Sequence, residues 1–359
     1  MVVSSTRLRG RAARVAGRLL ALSSLAILTA CAGSGSASGR LTLTAIDLPV
    51  AASLRGIAAP SADTVWVSGS GGTVARTIDG GESWDLVGPI GAQSLDFRSL
   101  WVFDSDTAIV ASAGSPARVF RTENGGRDWE LVHSDDRAAI FLDAMAFDDT
   151  GRGVLVGDPI DGRFVVLESD DHGRRWRRSP RAPAAERDEA AFAASNTAIA
   201  LTREGLLLGT SHSARILRGD RQLAQWQWSR VPIASGTPAR GVFSLAFATD
   251  GIGCAVGGDY TEAEERSQTA AFTLDGGRTW LPAERMPSGY RSAVLAATAF
   301  DPGVRLAAGP NGVDLSSDGG RHWYRLFDRG HHALAAARDG SAVVYAAGAD
   351  GRVSRIRSN

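Results

Sequence analysis

The chain has 359 residues, room for one large β domain or two average ones, and its 39 basic and 39 acidic residues cancel formally. The charge is uneven. Every basic residue is Arg; five of them (Arg7, Arg9, Arg11, Arg14, Arg18) precede an apolar run and the first acid is Asp47, so losing residues 1–30 would leave 34 Arg against 39 acids, a net −5. With that balance a basic nucleic-acid-binding surface is not expected.

The N-terminus reads as an export signal, a basic stretch followed by "LLALSSLAIL" at 19–28 and then small residues. Ten apolar-leaning residues are too few to span a bilayer as a stable helix. The run ends in "LTAC" at 28–31, which looks like a bacterial lipobox: cleavage at 1–30 and a lipid on Cys31 are expected. The residue after the Cys is Ala32, not Asp, which points to the outer membrane, facing the periplasm or the cell surface. Residues 31–40, containing "AGSGSASG", form a flexible tether between anchor and domain. Cys254, in the apolar "GIGCAV", has no partner for a disulfide except Cys31 and reads as a small buried hydrophobe.

Beyond the tether the chain repeats itself. "TIDGGESW" at 77–84 returns as "TENGGRDW" (122–129), "SDDHGRRW" (169–176), "TLDGGRTW" (273–280) and "SSDGGRHW" (316–323). Between Trp176 and Trp280, "RILRGDRQLAQWQW" (215–228) reads as a copy that kept Trp226 and Trp228 and lost its glycine turn. A period of roughly 45–50 residues with several short β runs per unit is the signature of propeller blades. Asn or Asp followed by Gly suits a tight turn that needs φ > 0. The turn residues Asp79, Asn124, Asp171, Asp275 and Asp318 are therefore expected to be structural, with Trp84, Trp129, Trp176, Trp280 and Trp323 packed in the apolar layers. The phrase resembles the Asp-box of BNR-repeat (sialidase-type) β-propellers.

Taken in chain order, units begin near Leu54, Phe97, Phe141, Ala190, Val242, Ser292 and Ala333. In the first, "RGIAA", "TVWVSGS", "TVARTID" and "SWDLVG" are the successive strands, and later units follow suit. The seventh lacks a fourth strand, which "RLTLTAIDL" at 40–48 would supply from the N-terminus. The expected fold is all-β, a single seven-bladed propeller over 41–357, without a stable helix of three turns. The segments 180–191 and 259–268 are expected to be loops on its faces. In "WVSGSGGTVARTIDGGESW" (66–84), "VLVGDPIDGRFVVLESDDHGRRW" (154–176), "AVGGDYTEAEERSQTAAFTLDGGRTW" (255–280) and "AAGPNGVDLSSDGGRHW" (307–323), the chain resembles the photosystem II stability/assembly factor family of BNR-repeat propellers. The resemblance implies an assembly scaffold that binds protein, here a bacterial relative acting as a monomer.

Function is expected where loops leaving the innermost strands converge. Before or at the first strand of several units stand Arg55, Arg98, Asp143, Arg240 and Arg291; after the second come Asp158, Asp259 with Tyr260, and Asn311. These form a candidate rim for an acidic or polar segment of an envelope protein, with mutual pairing as the plainer reading. The competing class is a glycoside hydrolase, because sialidases share the repeated turn. Against it, the Phe/Tyr-Arg-Ile-Pro phrase that usually precedes the first turn is missing, and "SRVP" at 229–232 is mid-chain without the aromatic. No catalytic residue, cofactor or metal site is assigned. The adjacent His331 and His332 would point to opposite faces of a strand, on the surface or in the pore.

Overall fold

Short apolar runs separated by Gly-rich turns leave antiparallel sheet as the way to satisfy the backbone. The computed structural model describes residues 41–248 and 251–358, with the backbone of two short strands, Leu19–Leu20 and Ile27–Thr29. The expected signal-peptide cleavage site, Cys31 and the expected tether lie outside the described residues. Seven antiparallel sheets follow one another round a ring, the strands of each running in sequence order from axis to rim except where N-terminal strands add at the outside of blades 1 and 7. Their innermost strands are Leu54–Ala58, Asp96–Val102, Leu142–Phe147, Ile199–Thr202, Arg240–Phe247, Ala293–Ala296 and Ala333–Ala336. Among the described residues there is no helix. The protein is a seven-bladed β-propeller.

Blade 7 takes its fourth strand from the other end of the chain: Leu41–Ala45 pairs with Val353–Ser358, Leu43 opposite Ile356. A parallel bridge between Ala59 and Ala337 also ties blades 1 and 7. Closure leaves no bare blade face, which is how a ring avoids exposed sheet edges. Leu19–Leu20 adds to the outer strand of blade 1 and Ile27–Thr29 to Leu41–Ala45.

The core is a series of apolar layers between neighbouring blades. Leu43, Leu306, Val313, Leu334 and Ile356 fill the layer between blades 6 and 7; Ile57, Val67, Trp84 and Tyr345 fill the one between 7 and 1. Each fully buried aliphatic or aromatic side chain contributes about 1.5–3 kcal/mol. Cys254 is one of these groups, fully buried, its thiol pushed up to about 12 by burial and so unreactive.

The repeated turn joins the third and fourth strands. Thr77 Oγ1 donates to Asp79 Oδ1 (2.7 Å) and accepts the Gly81 N–H (3.0 Å); Asp79 Oδ1 accepts the Ser83 N–H (2.9 Å). Gly80 and Gly81 have φ of 70° and 96°, which a side chain would resist. In the second copy Asn124 Oδ1 accepts the Asp128 N–H (3.0 Å), and its Nδ2 donates to Asp128 Oδ2 (3.1 Å), so the two exchanged residues keep the link. Partial burial disfavours the ionised turn acids, but the hydrogen bonds outweigh it and hold Asp79 below its ordinary range and Asp171 and Asp275 at about 2. The indoles are anchored as well: Trp84 donates to Ile46 O, Trp129 to Val87 O, and Trp176, Trp280 and Trp323 to glycine carbonyls of their own turns.

One boundary differs from the sequence reading. The fourth blade begins at Ile199, not near Ala190. Residues 190–198 are instead drawn over the axis, because their polar and aromatic groups find partners on other blades.

Candidate functional site

The start of each first strand and the end of each second strand lie at one end of the ring, as the pairing of Leu54 with Gly69 shows. The repeated turns lie at the other. At the first end, four inner strands carry a β-bulge, falling between Leu54 and Gly56, Phe97 and Ser99, Leu142 and Ala144, and Val242 and Ser244. A bulge leaves one residue unpaired and re-aims its side chain. The re-aimed residues are Arg55, Arg98, Asp143 and Phe243, four blades' contributions to the channel mouth. The residue after each is Gly, Ser or Ala because the next blade approaches closely. A Cβ on Gly56 would sit 2.8 Å from Leu100 Cβ of blade 2, and Ser99 Oγ donates to Asp143 O of blade 3 (3.0 Å).

The mouth is spanned by residues 190–196. Phe192 stacks on Phe243 (centroids 3.5 Å apart), Ala194 packs with Phe243 and Tyr290, and Ser195 Oγ donates to Ser292 O of blade 6 (2.7 Å). Asn196 Nδ2 donates to Leu100 O of blade 2 (2.9 Å) and Met145 O of blade 3 (3.2 Å). The segment therefore plugs the axis. Its root is fixed by Glu189, fully buried, which accepts from Arg215 Nε (2.9 Å) and Thr210 Oγ1 (2.7 Å). At the far end of the axis Arg338 of blade 7 donates to Val102 O of blade 2 and lies over the Trp101 ring (5.7 Å).

The nine rim candidates divide into three groups. Arg240 and Asp259 pair with each other (2.9 Å), and Asp259 also accepts from Thr261, which leaves Tyr260 exposed beside Phe243. Arg291 does not reach the channel: it is fully buried, donating to Asp314 (2.6 Å) and to Asn311 Oδ1 (2.6 Å), so both rim candidates serve the blade 6 core. Arg55, Arg98, Asp143 and Asp158 stay together at the mouth. Arg98 donates to Asp96 (2.7 Å) and Asp158 accepts the Ala191 N–H (3.0 Å). Asp143 has no exposed surface and neither carboxylate oxygen makes a hydrogen bond. Burial drives its pKa well up, Asp158 adds to the rise, and Arg98 opposes it, so the site favours the neutral carboxyl.

Arg55 is the singular member. It has no ion pair among the described residues, its Nε is buried without a partner, and Nη1 makes one long bond, 3.4 Å, to Ala194 O. Burial, followed by the charge of Arg98, lowers its pKa. Sequence reasoning missed Phe192, Phe243, Tyr290 and Asn196. His332 lines the mouth as a neutral ring, its pKa lowered to about 3 by burial and by Arg55. His331 points away, buried against Ser354, so neither imidazole is on the surface. The signal for the bulge residues was local: a large residue followed by Gly, Ser or Ala at an inner-strand start. Among the described residues no three His, Cys, Asp or Glu converge to hold a metal.

No protein-family model and no curated protein sequence matches the chain. Solved structures do. "YCF48 bound to D1 peptide" aligns with a TM-score of 0.62 at 17% identity, covering 88% of this chain and 97% of that one. YCF48 from Cyanidioschyzon merolae gives 0.59 at 16%, covering 88% and 98%. The GH74 xyloglucanase of Xanthomonas campestris also gives 0.59, at 17%, covering 88% of this chain but 53% of the enzyme. This chain thus spans about half of that hydrolase. At such identities the likeness is one of fold, and the propeller is shared with both a peptide-bound protein and an enzyme.

Proposed function

We propose that the chain is an exported, lipid-anchored propeller that docks an acidic or polar segment of an envelope protein at its channel mouth. Arg55 carries the reading: a largely buried guanidinium without a carboxylate, its Nε unbonded, beside a second Arg. Burying an unpaired charge is costly, and an incoming carboxylate would remove the cost. Exposed Tyr260 offers an aromatic contact at the rim. That a YCF48 structure holds a peptide makes a peptide segment a reasonable ligand class for this fold. The lipobox at Cys31 supplies the envelope placement in this reading, at the outer membrane.

The alternative, a glycosidase, has its own support in the Asp143 and Asp158 carboxyls and the GH74 likeness. It is the weaker reading, because Asp143 has no exposed surface and the chain spans about half of the enzyme. The test is capture from native envelopes with wild type and the Arg55→Ala/Arg98→Ala variant, alongside a glycosidase panel. Loss of a specific partner in the variant is expected; hydrolysis that depends on Asp158 would overturn docking. Cys31→Ser is expected to release the protein from the membrane fraction.

A further inference from the structure

A second cationic feature lies away from the channel, on the flank of blade 6. A groove of about 470 Å³ is lined by Arg266, Arg285, Met286, Ser288, Trp323 and Arg325. Arg325 stands on the outer strand Tyr324–Phe327 and is held in place by backbone acceptors, Asn311 O at 2.7 Å and Ser288 O at 3.3 Å. Its Nε makes no hydrogen bond and lies 3.7 Å from Asp314 Oδ1, whose carboxylate is already engaged by Arg291. Arg285 lies over the Tyr324 ring at 4.5 Å, which fixes the plane of its guanidinium without neutralising it. Arg266 enters from the loop at 259–268. Neither Arg266 nor Arg285 forms an ion pair among the described residues.

The carboxylates facing the groove are few. Asp328 pairs with Arg325 at 2.9 Å, but its side chain is 91% exposed, and such a pair contributes little. Three arginines therefore line the groove, with Asp328 as the one solvated carboxylate among its lining residues. Three planar donors suit a tetrahedral oxyanion with acceptors on every side, whereas a carboxylate is satisfied by a single Arg fork.

We propose that this groove is a binding site for a phosphate-type oxyanion, presented either as soluble phosphate or as the headgroup of an anionic phospholipid. The site is independent of the channel mouth.

The experiment uses the full chain carrying Cys31→Ser, so that no attached lipid contributes. Thermal unfolding is followed in inorganic phosphate against chloride at matched ionic strength, which removes general screening. Binding to the folded state should raise Tm in phosphate by on the order of 2 °C at tenfold saturation. Arg266→Ala/Arg285→Ala, two surface truncations, should abolish the rise, while Arg55→Ala/Arg98→Ala should keep it. Failure of partner capture at the mouth would thus leave this result untouched. A second arm sediments the protein with phosphatidylglycerol vesicles with and without phosphate. Sedimentation that phosphate competes away, and that the double variant loses, assigns the headgroup; a Tm rise without sedimentation assigns the soluble ion. An equal response in chloride with no sedimentation, or a response the double variant retains, overturns the proposal.

Discussion

At Asp143 the chain places a carboxyl group with neither solvent nor a hydrogen-bond partner. Its pKa is raised by burial, so folding takes up a proton that the unfolded chain would release above about pH 4. The penalty is therefore present at neutral pH and absent in acid, where both states are protonated. Asp143→Asn should accordingly stabilise the fold at pH 7 by about 1–3 kcal/mol. The gain should vanish near pH 4, and thermal melts at the two pH values check it; a loss of stability at pH 7 would contradict the account. Arg55 and Arg291 show how far such sites are legible in sequence. "LRGI" and "YRSA" look alike, although the second falls a few residues earlier in its unit; one Arg is left unpaired and the other is spent on Asp314. The difference lies in a partner on the third strand of blade 6, which only the register of that sheet brings within reach.

Among the elements, the repeated turns were readable because their chemistry is local. A hydroxyl, an acid and two glycines within eight residues specify the loop without help from the rest of the fold. Asp275 is held at about 2 in the folded state and sits at its ordinary value unfolded. A lowered acid of this kind contributes above about pH 4 and is lost as pH falls through 2. Being solvent-screened, it should contribute about 1 kcal/mol, so Asp275→Asn should lower the urea midpoint at pH 7 and leave it unchanged near pH 2. The plug was not readable. "AAFAASN" has no strand period and no turn residue until Asn196, and its contacts reach blades 1, 2, 5 and 6 across the ring as well as its neighbours in sequence. Its root is testable, because Glu189→Gln removes the buried partner of Arg215. A broken buried pair costs about 3 kcal/mol, and amide exchange in 190–196 should accelerate while exchange in blade 1 stays slow.

For the whole molecule, the spacing of five Trp residues carried the blade count, since each unit must bury one apolar face on the next. The closing strand was legible for the same reason: a seventh unit without a fourth strand has to find one. Leu43→Ala, at the centre of that strand, should cost about 3 kcal/mol in denaturant unfolding, the cavity term included. If the ring unfolds as one unit, the loss should match that of Leu206→Ala in blade 4; a smaller loss would mean that blade 7 opens on its own. The same closure sets a timetable. Leu41–Ala45 leaves the ribosome early, and its partner Arg357 lies 315 residues beyond Thr42. Through synthesis of everything between them, that apolar strand has no blade to join and the last blade has no rim. Anything that guards a growing chain would therefore act on this one strand for longer than on any other part of the ring, and a stalled or truncated product would be marked for disposal by the strand it never covered.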